Sequence, residues 1–255
     1  MFVYLLKWIK FEKIKFNIKM GQLKGVGVAL VTPFNEDLSV DFDSLTRLID
    51  YNIDNGTNFL VVLGTTAEVA TLSKEEKDKV IAHITKINNN RLPLVLGIGG
   101  NNTAEVKQQI LDTDLSDFEA VLSVSPYYNK PNQEGLYQHY KALAETGAKI
   151  IIYNVPARTG QNVDSSTTLR LANEFPNLIM IKEATPNILQ YFDILRQKPD
   201  HFSLMSGDDE YTLPVTLAGG DGVISVIGQA YPKEFSTMVK FGLSREVDEA
   251  YKIHN

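Results

Sequence analysis

The chain has 255 residues, of which 44% are hydrophobic and 22% are charged, and this composition is typical of a globular protein with one large α/β domain or two smaller ones. Its net charge of −6 argues against a general nucleic-acid-binding surface, and the absence of cysteine excludes disulfides, thiolate metal ligands and cysteine nucleophiles. No uncharged apolar run approaches the roughly 20 residues that span a bilayer. We therefore expect a cytoplasmic protein with neither a nucleic-acid nor a membrane partner.

The first 19 residues, MFVYLLKWIKFEKIKFNIK, differ in composition from the rest of the chain. Lys7 and Lys10 interrupt the apolar core that a secretory signal would need, and no small-residue cleavage site follows. A helix that lies on a membrane surface is one interpretation. We favour a translation start placed too far upstream, because Met20 opens a new segment, MGQLKGVGVALVTPF. We therefore expect an atypical extension over residues 1–19 and a single domain over residues 20–255.

From Gly25 onward, short apolar segments alternate with amphipathic stretches. Near-continuous runs of valine, isoleucine and leucine are typical of parallel strands that are covered on both faces. The eight predicted strands cover residues 25–34, 59–64, 92–100, 120–128, 149–156, 178–184, 202–209 and 222–228.

Capping signals mark several of the helices between these strands. Asp41 is the predicted N-cap of the first helix, and Gly56 lies where that helix should end. Ser73 and Glu76 form a capping box at the start of the second helix. The pair Thr185–Pro186 predicts the start of a helix directly after the sixth strand, because threonine suits the N-cap and proline the first helical position.

Eight strands that alternate with helices over roughly 200 residues predict a closed (β/α)8 barrel, the TIM-barrel form of the α/β class. An open, doubly wound sheet is the alternative. Its dinucleotide signature, Gly-x-Gly-x-x-Gly, should follow the first strand. The nearest match, GIGGNN at residues 97–102, follows the third predicted strand and lacks the last glycine. We therefore predict the barrel, with its eighth helix over residues 232–255.

Polar residues gather at the carboxyl ends of the predicted strands, where TIM barrels build their active sites. Each of them has a simpler explanation as a turn, a helix cap or a solvent-facing residue, and Lys182 alone is most simply a strand-end residue in solvent. Their shared location at one mouth of the barrel favours a functional site. The set comprises Thr32, residues 64–68, 125–131 and 153–160, Lys182, Glu183, residues 206–209 and Ser225.

The residue types in this set indicate the chemistry. The four histidines are scattered without metal-ligand spacing, which argues against a metal site. A desolvated lysine has a lowered pKa, so part of the population is neutral and can attack a carbonyl carbon. A tyrosine hydroxyl can transfer the protons that Schiff-base chemistry needs, and the backbone N–H groups of a Gly-Thr-Thr turn can hold a carboxylate. Together these types predict a lysine-dependent aldolase that acts on a 2-oxo acid, without metal or cofactor.

Nine motifs, from about Leu23 to the end of the chain, match one known family in order and spacing. They are VALVTPF, LGTTAE, ATLS, VSPYYNKP, QEGLYQHY, YNVPARTG, IKEAT, SGDD and GVISV. In these motifs the chain resembles the dihydrodipicolinate synthase family of the pyruvate-dependent aldolases. The resemblance implies a Schiff-base lyase that condenses pyruvate with L-aspartate 4-semialdehyde to 4-hydroxy-tetrahydrodipicolinate, in lysine and diaminopimelate biosynthesis. It also implies a homo-oligomer, either a tetramer or a dimer.

The resemblance also implies roles for individual residues. Lys182 would form the Schiff base with pyruvate, and Tyr153 would transfer protons. Thr65 and Tyr128 would complete a relay of hydroxyl groups, with Tyr128 reaching in from a neighbouring subunit. The residues that would bind the substrates are Thr66, Arg158, Gly207 and Ile224.

Arg158 bears on the choice between members of the superfamily. Its guanidinium can bind the carboxylate of aspartate semialdehyde through two parallel hydrogen bonds. Relatives that cleave sialic acid typically have an apolar residue at this position and a Gly-Ser-Thr-Gly-Glu turn. Two alternatives remain: another pyruvate aldolase, acting on N-acetylneuraminate or a 2-keto-3-deoxy sugar acid, and a non-catalytic barrel that binds a 2-oxo acid. The combination of lysine, tyrosine and threonine argues against the latter, because binding alone requires no nucleophile.

The sequence departs from the family pattern in three places. Ala67 replaces the glycine of the usual GTTGE turn, which is a mild change unless the position requires a positive φ. Residues 1–19 are foreign to the family. Most of the helical region that follows the barrel in family members is missing, and because that region helps to form the tetramer, the oligomeric state is in doubt.

A regulatory cleft is the last feature that the resemblance implies. Lysine-inhibited family members bind L-lysine at a dimer interface. Lys74 and Lys77 occupy positions where such members often carry an uncharged residue or histidine. Two ammonium groups would repel a dibasic ligand, so we predict weak or absent feedback inhibition. The matching positions are Val69, Ala70, Lys74, Lys77, Asn101, Glu105 and Tyr127.

Overall fold

The computed structural model describes residues 23–254, and eight parallel strands close into a barrel in the order of the chain. This confirms the predicted (β/α)8 fold over the open sheet. The predicted extension, residues 1–19, lies outside the described residues. The strands, each inside its predicted segment, are β1 (Gly25–Ala29), β2 (Phe59–Val62), β3 (Leu94–Gly97), β4 (Ala120–Val124), β5 (Ile150–Asn154), β6 (Leu178–Glu183), β7 (Ser203–Ser206) and β8 (Gly222–Ser225).

Helices follow the strands and form the outer layer of the barrel. Within residues 23–254, no helix has both the length and the apolar character that crossing a membrane requires. Short 3-10 turns follow β2 (Thr65–Ala67) and β8 (Ile227–Gln229). The α-helices are α1 (Phe42–Asp54), α2 (Lys74–Asn88), α3 (Thr103–Asp112), α4 (Gln133–Ala144), α5 (Pro156–Thr159), α6 (Ser165–Glu174), α7 (Ile188–Gln197), α8 (Thr212–Leu217), α9 (Pro232–Leu243) and α10 (Val247–His254).

Side chains alternate along each strand between the barrel interior and the helix layer. On β6, Met180 belongs to the interior cluster and Ile181 to the outer core against the helices. This alternation explains why the strand sequences read as continuous apolar runs. The barrel closes where β8 pairs with β1, and Gly222 is required there because a Cβ atom would lie 1.9 Å from the carbonyl oxygen of Gly25.

The predicted capping signals of the first two helices are confirmed. The Asp41 carboxylate accepts a hydrogen bond from the Ser44 backbone N–H at 2.9 Å, and Gly56, with a φ of +95°, follows the end of α1. At the start of α2, Ser73 and Glu76 form both hydrogen bonds of the capping box.

Two helix boundaries were predicted wrongly. The pair Thr185–Pro186 does not start a helix: the Thr185 N–H donates to the Glu183 carboxylate, and the Thr185 hydroxyl accepts from the N–H of Asn187. Helix α7 therefore begins at Ile188, with Asn187 as its N-cap. The predicted eighth helix over residues 232–255 is two helices, α9 and α10, because Arg245 between them adopts a left-handed φ of 61°.

Candidate active site

Lys182 lies near the carboxyl end of β6 with only 4% of its surface exposed. It is two residues after Met180 on the same face of the strand, so its side chain points into the barrel. Burial lowers the pKa of Lys182 to about 8, because an ammonium group loses its hydration there. The negative charge of Asp209 opposes this shift, and the positive charge of Arg158 adds to it. The lysine therefore has an appreciable neutral fraction near neutral pH.

Tyr153 on β5 lies beside this lysine in the barrel interior. The two residues are paired across the strands, and the Lys182 Nζ lies 4.4 Å from the centre of the Tyr153 ring. Burial raises the pKa of the Tyr153 hydroxyl, while the charge of Arg158 and the hydroxyl of Thr65 lower it. The phenol therefore stays protonated at neutral pH and lies next to a candidate nucleophile, where it can donate and recover a proton.

Gly207 lies against the lysine side chain, and Ile224 lies elsewhere in the barrel interior. A Cβ atom on Gly207 would lie 3.0 Å from both the Cγ and the Cε of Lys182, so glycine leaves the space that the extended lysine occupies. Ile224 on β8 is fully buried in the interior cluster that also contains Tyr153. The structure thus brings Lys182, Tyr153 and the half-buried Gly207 together, and it places Ile224 in the same interior cluster as Tyr153.

Thr65 and Thr66 lie in the 3-10 turn that follows β2 at the same mouth of the barrel. The Thr32 hydroxyl donates to the Ala67 carbonyl oxygen at 2.8 Å and ties this turn to the segment after β1. Ala67 is buried, and the positive φ of the turn, 56°, belongs to Glu68 instead. Alanine therefore fits where glycine was expected, and the turn keeps its shape.

Arg158 is an exposed residue of the short helix α5, in the segment that follows β5. Its charge reaches both Lys182 and Tyr153, since it lowers the pKa of each. A guanidinium at the rim above a buried lysine can hold an anionic group of a substrate whose carbonyl carbon points inward.

Tyr128 follows β4 at the rim and behaves differently from the other predicted site residues. Its side chain is 89% exposed, and its φ of 70° is uncommon for a residue with a bulky side chain. Among residues 23–254, it forms no hydrogen bond with Thr65 or Tyr153. The chain therefore presents this tyrosine outward at the mouth.

The predicted regulatory positions fall in three segments, which follow β2, β3 and β4. Val69, Ala70, Lys74 and Lys77 lie in the turn after β2 and the start of α2, where Lys74 forms an exposed ion pair with Asp78 at 2.7 Å. Asn101, Glu105 and Tyr127 lie after β3 and β4. A hydrogen bond of 3.1 Å from the Asn129 side chain to the Asn101 carbonyl oxygen brings the latter two segments together.

Sequence reasoning gave no role to Asp209, which follows β7. One carboxylate oxygen accepts the N–H groups of Val226 and Ile227 at 3.1 and 2.9 Å, and so ties the β7 and β8 rims together. The other oxygen is buried, with no hydrogen-bond partner among the described residues. Asp209 is the acidic group that raises the pKa of Lys182 against burial. Its position in the sequence could have indicated a role, because Asp209 is the second aspartate of the SGDD motif and follows a strand at the catalytic end of the barrel.

Comparison with known proteins gives a consistent result. The model of the "Dihydrodipicolinate synthetase family" matches residues 22–255. A relative from Flavobacterium psychrophilum, named 4-hydroxy-tetrahydrodipicolinate synthase, is 60% identical over 90% of this chain and 79% of its own length. A Parabacteroides distasonis relative of the same name is 53% identical over 91% of this chain and 79% of its own. The crystal structure of the dihydrodipicolinate synthase from Thermotoga maritima is 38% identical, with a TM-score of 0.88 over 92% of this chain and 80% of that one.

The structural similarity agrees with the closed barrel. The chain is an enzyme that belongs to the dihydrodipicolinate synthetase family.

Proposed function

We propose that the enzyme condenses pyruvate with L-aspartate 4-semialdehyde to give 4-hydroxy-tetrahydrodipicolinate. The observation that carries this proposal is the buried Lys182, whose pKa is lowered to about 8 and whose ammonium group lies 4.4 Å from the Tyr153 ring. Neutral Lys182 attacks the ketone carbon of pyruvate, and loss of water gives an imine. Removal of a methyl proton gives an enamine, whose carbon attacks the aldehyde of the second substrate, so that the aldehyde oxygen becomes a hydroxyl and the imine to Lys182 is regenerated. The amino group of the second substrate then attacks the imine carbon and displaces the Lys182 nitrogen, which closes the ring and frees the lysine.

Each proton transfer in this sequence needs a group at the lysine, and we assign that role to Tyr153. The pKa lowering that Thr65 contributes to Tyr153 supports a relay of hydroxyl groups between them. Tyr128, exposed and outward-facing, would extend the relay into the mouth of a second copy of the chain. We therefore propose a homo-oligomer in which Tyr128 completes the neighbouring site.

The two substrates each carry a carboxylate that the site must hold. Thr66, in the turn after β2, would help to hold the carboxylate of pyruvate with the backbone N–H groups of that turn. Arg158 would bind the carboxylate of aspartate semialdehyde in bidentate geometry. Gly207 and Ile224 would shape the pyruvate pocket around the lysine.

Steady-state assays of the purified enzyme test this assignment. Condensation of pyruvate with aspartate semialdehyde should greatly exceed cleavage of N-acetylneuraminate or 2-keto-3-deoxygluconate. Arg158→Ala should raise the KM for the semialdehyde far more than the KM for pyruvate, with Arg158→Lys intermediate because an ammonium group lacks the bidentate geometry. Faster cleavage of a sugar acid, or pyruvate binding without turnover, would support the corresponding alternative instead.

A further inference from the structure

Glu183 is a buried carboxylate for which the reaction chemistry has no use. It follows Lys182 on β6, but strand alternation turns its side chain away from the barrel interior. The residue is fully buried. Burial raises the pKa of its carboxyl group to about 7, although its hydrogen bonds act in the opposite direction. No ion pair compensates it among residues 23–254. A carboxylate in such a place needs a reason, because burying one without a cation is costly.

Three donors surround this carboxylate. Its Oε1 accepts from the Asn154 Nδ2 at 2.7 Å and from the backbone N–H of Thr185 at 2.9 Å, and its Oε2 accepts from the Gln190 Nε2 at 2.8 Å. Asn154 ends β5 and Gln190 lies in α7. Glu183 therefore links β6 to α7, which the backbone ladder does not reach, and adds a side-chain bond to Asn154, its ladder partner on β5.

Asn154 and Gln190 in turn form hydrogen bonds with a single segment, residues 155–163, which we name the Arg158 loop. The Asn154 Nδ2 also donates to the Asn162 side chain at 2.8 Å, and its Oδ1 accepts from the N–H of Val163 at 3.0 Å. Gln190 donates to the Val163 carbonyl oxygen at 3.0 Å and accepts from the Asn162 Nδ2 at 2.8 Å. The far end of the loop is thus fixed on the two amides that Glu183 orients.

We propose that Glu183 is a positioning residue that locks the Arg158 loop onto β6 and thereby places the guanidinium of Arg158 to hold the carboxylate of the second substrate. This proposal rests on the proposed function, in which Arg158 binds that carboxylate. Lys182 itself is held on both sides by pairing of β6 with β5 and β7. Loss of the Glu183 anchor therefore acts on the loop rather than on the nucleophile.

Glu183→Gln removes the anchor with little change in volume. All three neighbours are donors, and glutamine offers one acceptor oxygen in place of two, so its own NH2 must face at least one of them. Gln190 cannot correct this by turning its amide, because both ends of that amide are already bonded to the loop. Gln190→Met cuts the same connection while leaving Glu183 in place, and serves if the first variant does not fold.

The matched control is Glu119→Gln. Glu119 is a partly buried carboxylate that pairs with Lys149 just before β4, at the opposite end of the barrel. Glu119→Gln therefore removes one carboxylate charge, as Glu183→Gln does, at a place that does not contact the Arg158 loop.

Kinetics and hydrogen exchange of the purified enzyme test the proposal together. Glu183→Gln should raise the KM for aspartate semialdehyde tenfold or more, while the KM for pyruvate and the rate of borohydride-trapped adduct formation stay within about threefold of wild type. In the Arg158→Ala background, Glu183→Gln should add little further, since both changes disable one interaction. Equal effects on both KM values, or full additivity in the double variant, would overturn the positioning role.

Amide exchange of residues 155–163 supplies a readout that does not depend on activity. Exchange in this segment should accelerate at least tenfold in Glu183→Gln and remain unchanged in Glu119→Gln. Unchanged exchange in Glu183→Gln would refute the anchor even if the enzyme is a synthase. If exchange is faster in Glu183→Gln but the wild-type enzyme does not condense the two substrates, the anchoring role of Glu183 is supported and the proposed function is refuted.

Discussion

Replacement of Lys182 by methionine should stabilise the folded protein near neutral pH. Methionine has a similar length and no charge, so Lys182→Met fills the same space without burying an ammonium group. The pKa of Lys182 falls from 10.5 to about 8 on folding, chiefly because burial removes hydration. This difference corresponds to about 3 kcal/mol by which the charged lysine disfavours the folded state at pH 7. The variant should gain up to about that amount, less any loss from imperfect packing of the methionine.

The sign and pH window follow from proton linkage. Between pH 8 and pH 10.5 the unfolded lysine binds more protons than the folded one, so the stability of the wild type rises with pH through that window. The advantage of Lys182→Met should therefore be largest below pH 8 and should disappear near pH 10.5. Urea unfolding of both proteins at pH 7 and pH 10.5, at one fixed protein concentration, measures the difference while other titrating groups cancel.

Lys107→Met is the matched control for this comparison. Lys107 is partly exposed and pairs with Glu145 at 3.1 Å, so its replacement should change the free energy of unfolding by no more than about 1 kcal/mol. A Lys182→Met variant that is no more stable than wild type at pH 7, or whose advantage does not change with pH, would refute a lowered pKa at this lysine.

Three further outcomes concern catalysis and regulation. Tyr153→Phe should leave the fold intact and lower kcat by about 10²–10⁴, the usual range for a lost proton-transfer group, and near-normal turnover would remove Tyr153 from the mechanism. Gly207→Ala should slow adduct formation with pyruvate, as measured by borohydride trapping, because the alanine Cβ would lie 3.0 Å from the Cγ and the Cε of Lys182. An unchanged rate would show that the lysine moves aside freely. L-Lysine should inhibit weakly, because Lys74 and Lys77 would add positive charge at the regulatory cleft that the resemblance implies, and Lys77→His should strengthen inhibition; half-inhibition well below millimolar in the wild type would contradict this.

The barrel could be predicted from local sequence, whereas a functional role for Lys182 was inferred only from the other polar residues at the same end of the barrel. Parallel strands covered on both faces leave continuous apolar runs, but a lysine at the end of such a run, as in LIMIKEAT, is on its own most simply a residue in solvent. The capping box at Ser73 and Glu76 could also be predicted, because both of its hydrogen bonds join residues within a stretch of four.

The two errors arose in local backbone conformations that the residue types do not signal, and the omission arose where a distant contact decides the outcome. Thr185 has the composition of a helix cap, but its N–H is taken by Glu183, so the helix starts later. The role of Glu183 depends on Asn154, 29 residues away in sequence, and on Gln190 in the next helix. Arg245 breaks the last helical stretch in a left-handed conformation that its residue type does not signal.

The covalent chemistry of Lys182 is tested most directly by borohydride trapping with pyruvate, followed by mass spectrometry of the digested protein. A single reduced adduct should appear on the peptide that contains Lys182, and Lys182→Met should show none while remaining folded. Trapping should also become faster as the pH rises toward 8, because the neutral fraction of a lysine with a pKa of about 8 increases there. An adduct on a different lysine, or no adduct on folded wild-type protein, would contradict the assignment of Lys182 as the nucleophile.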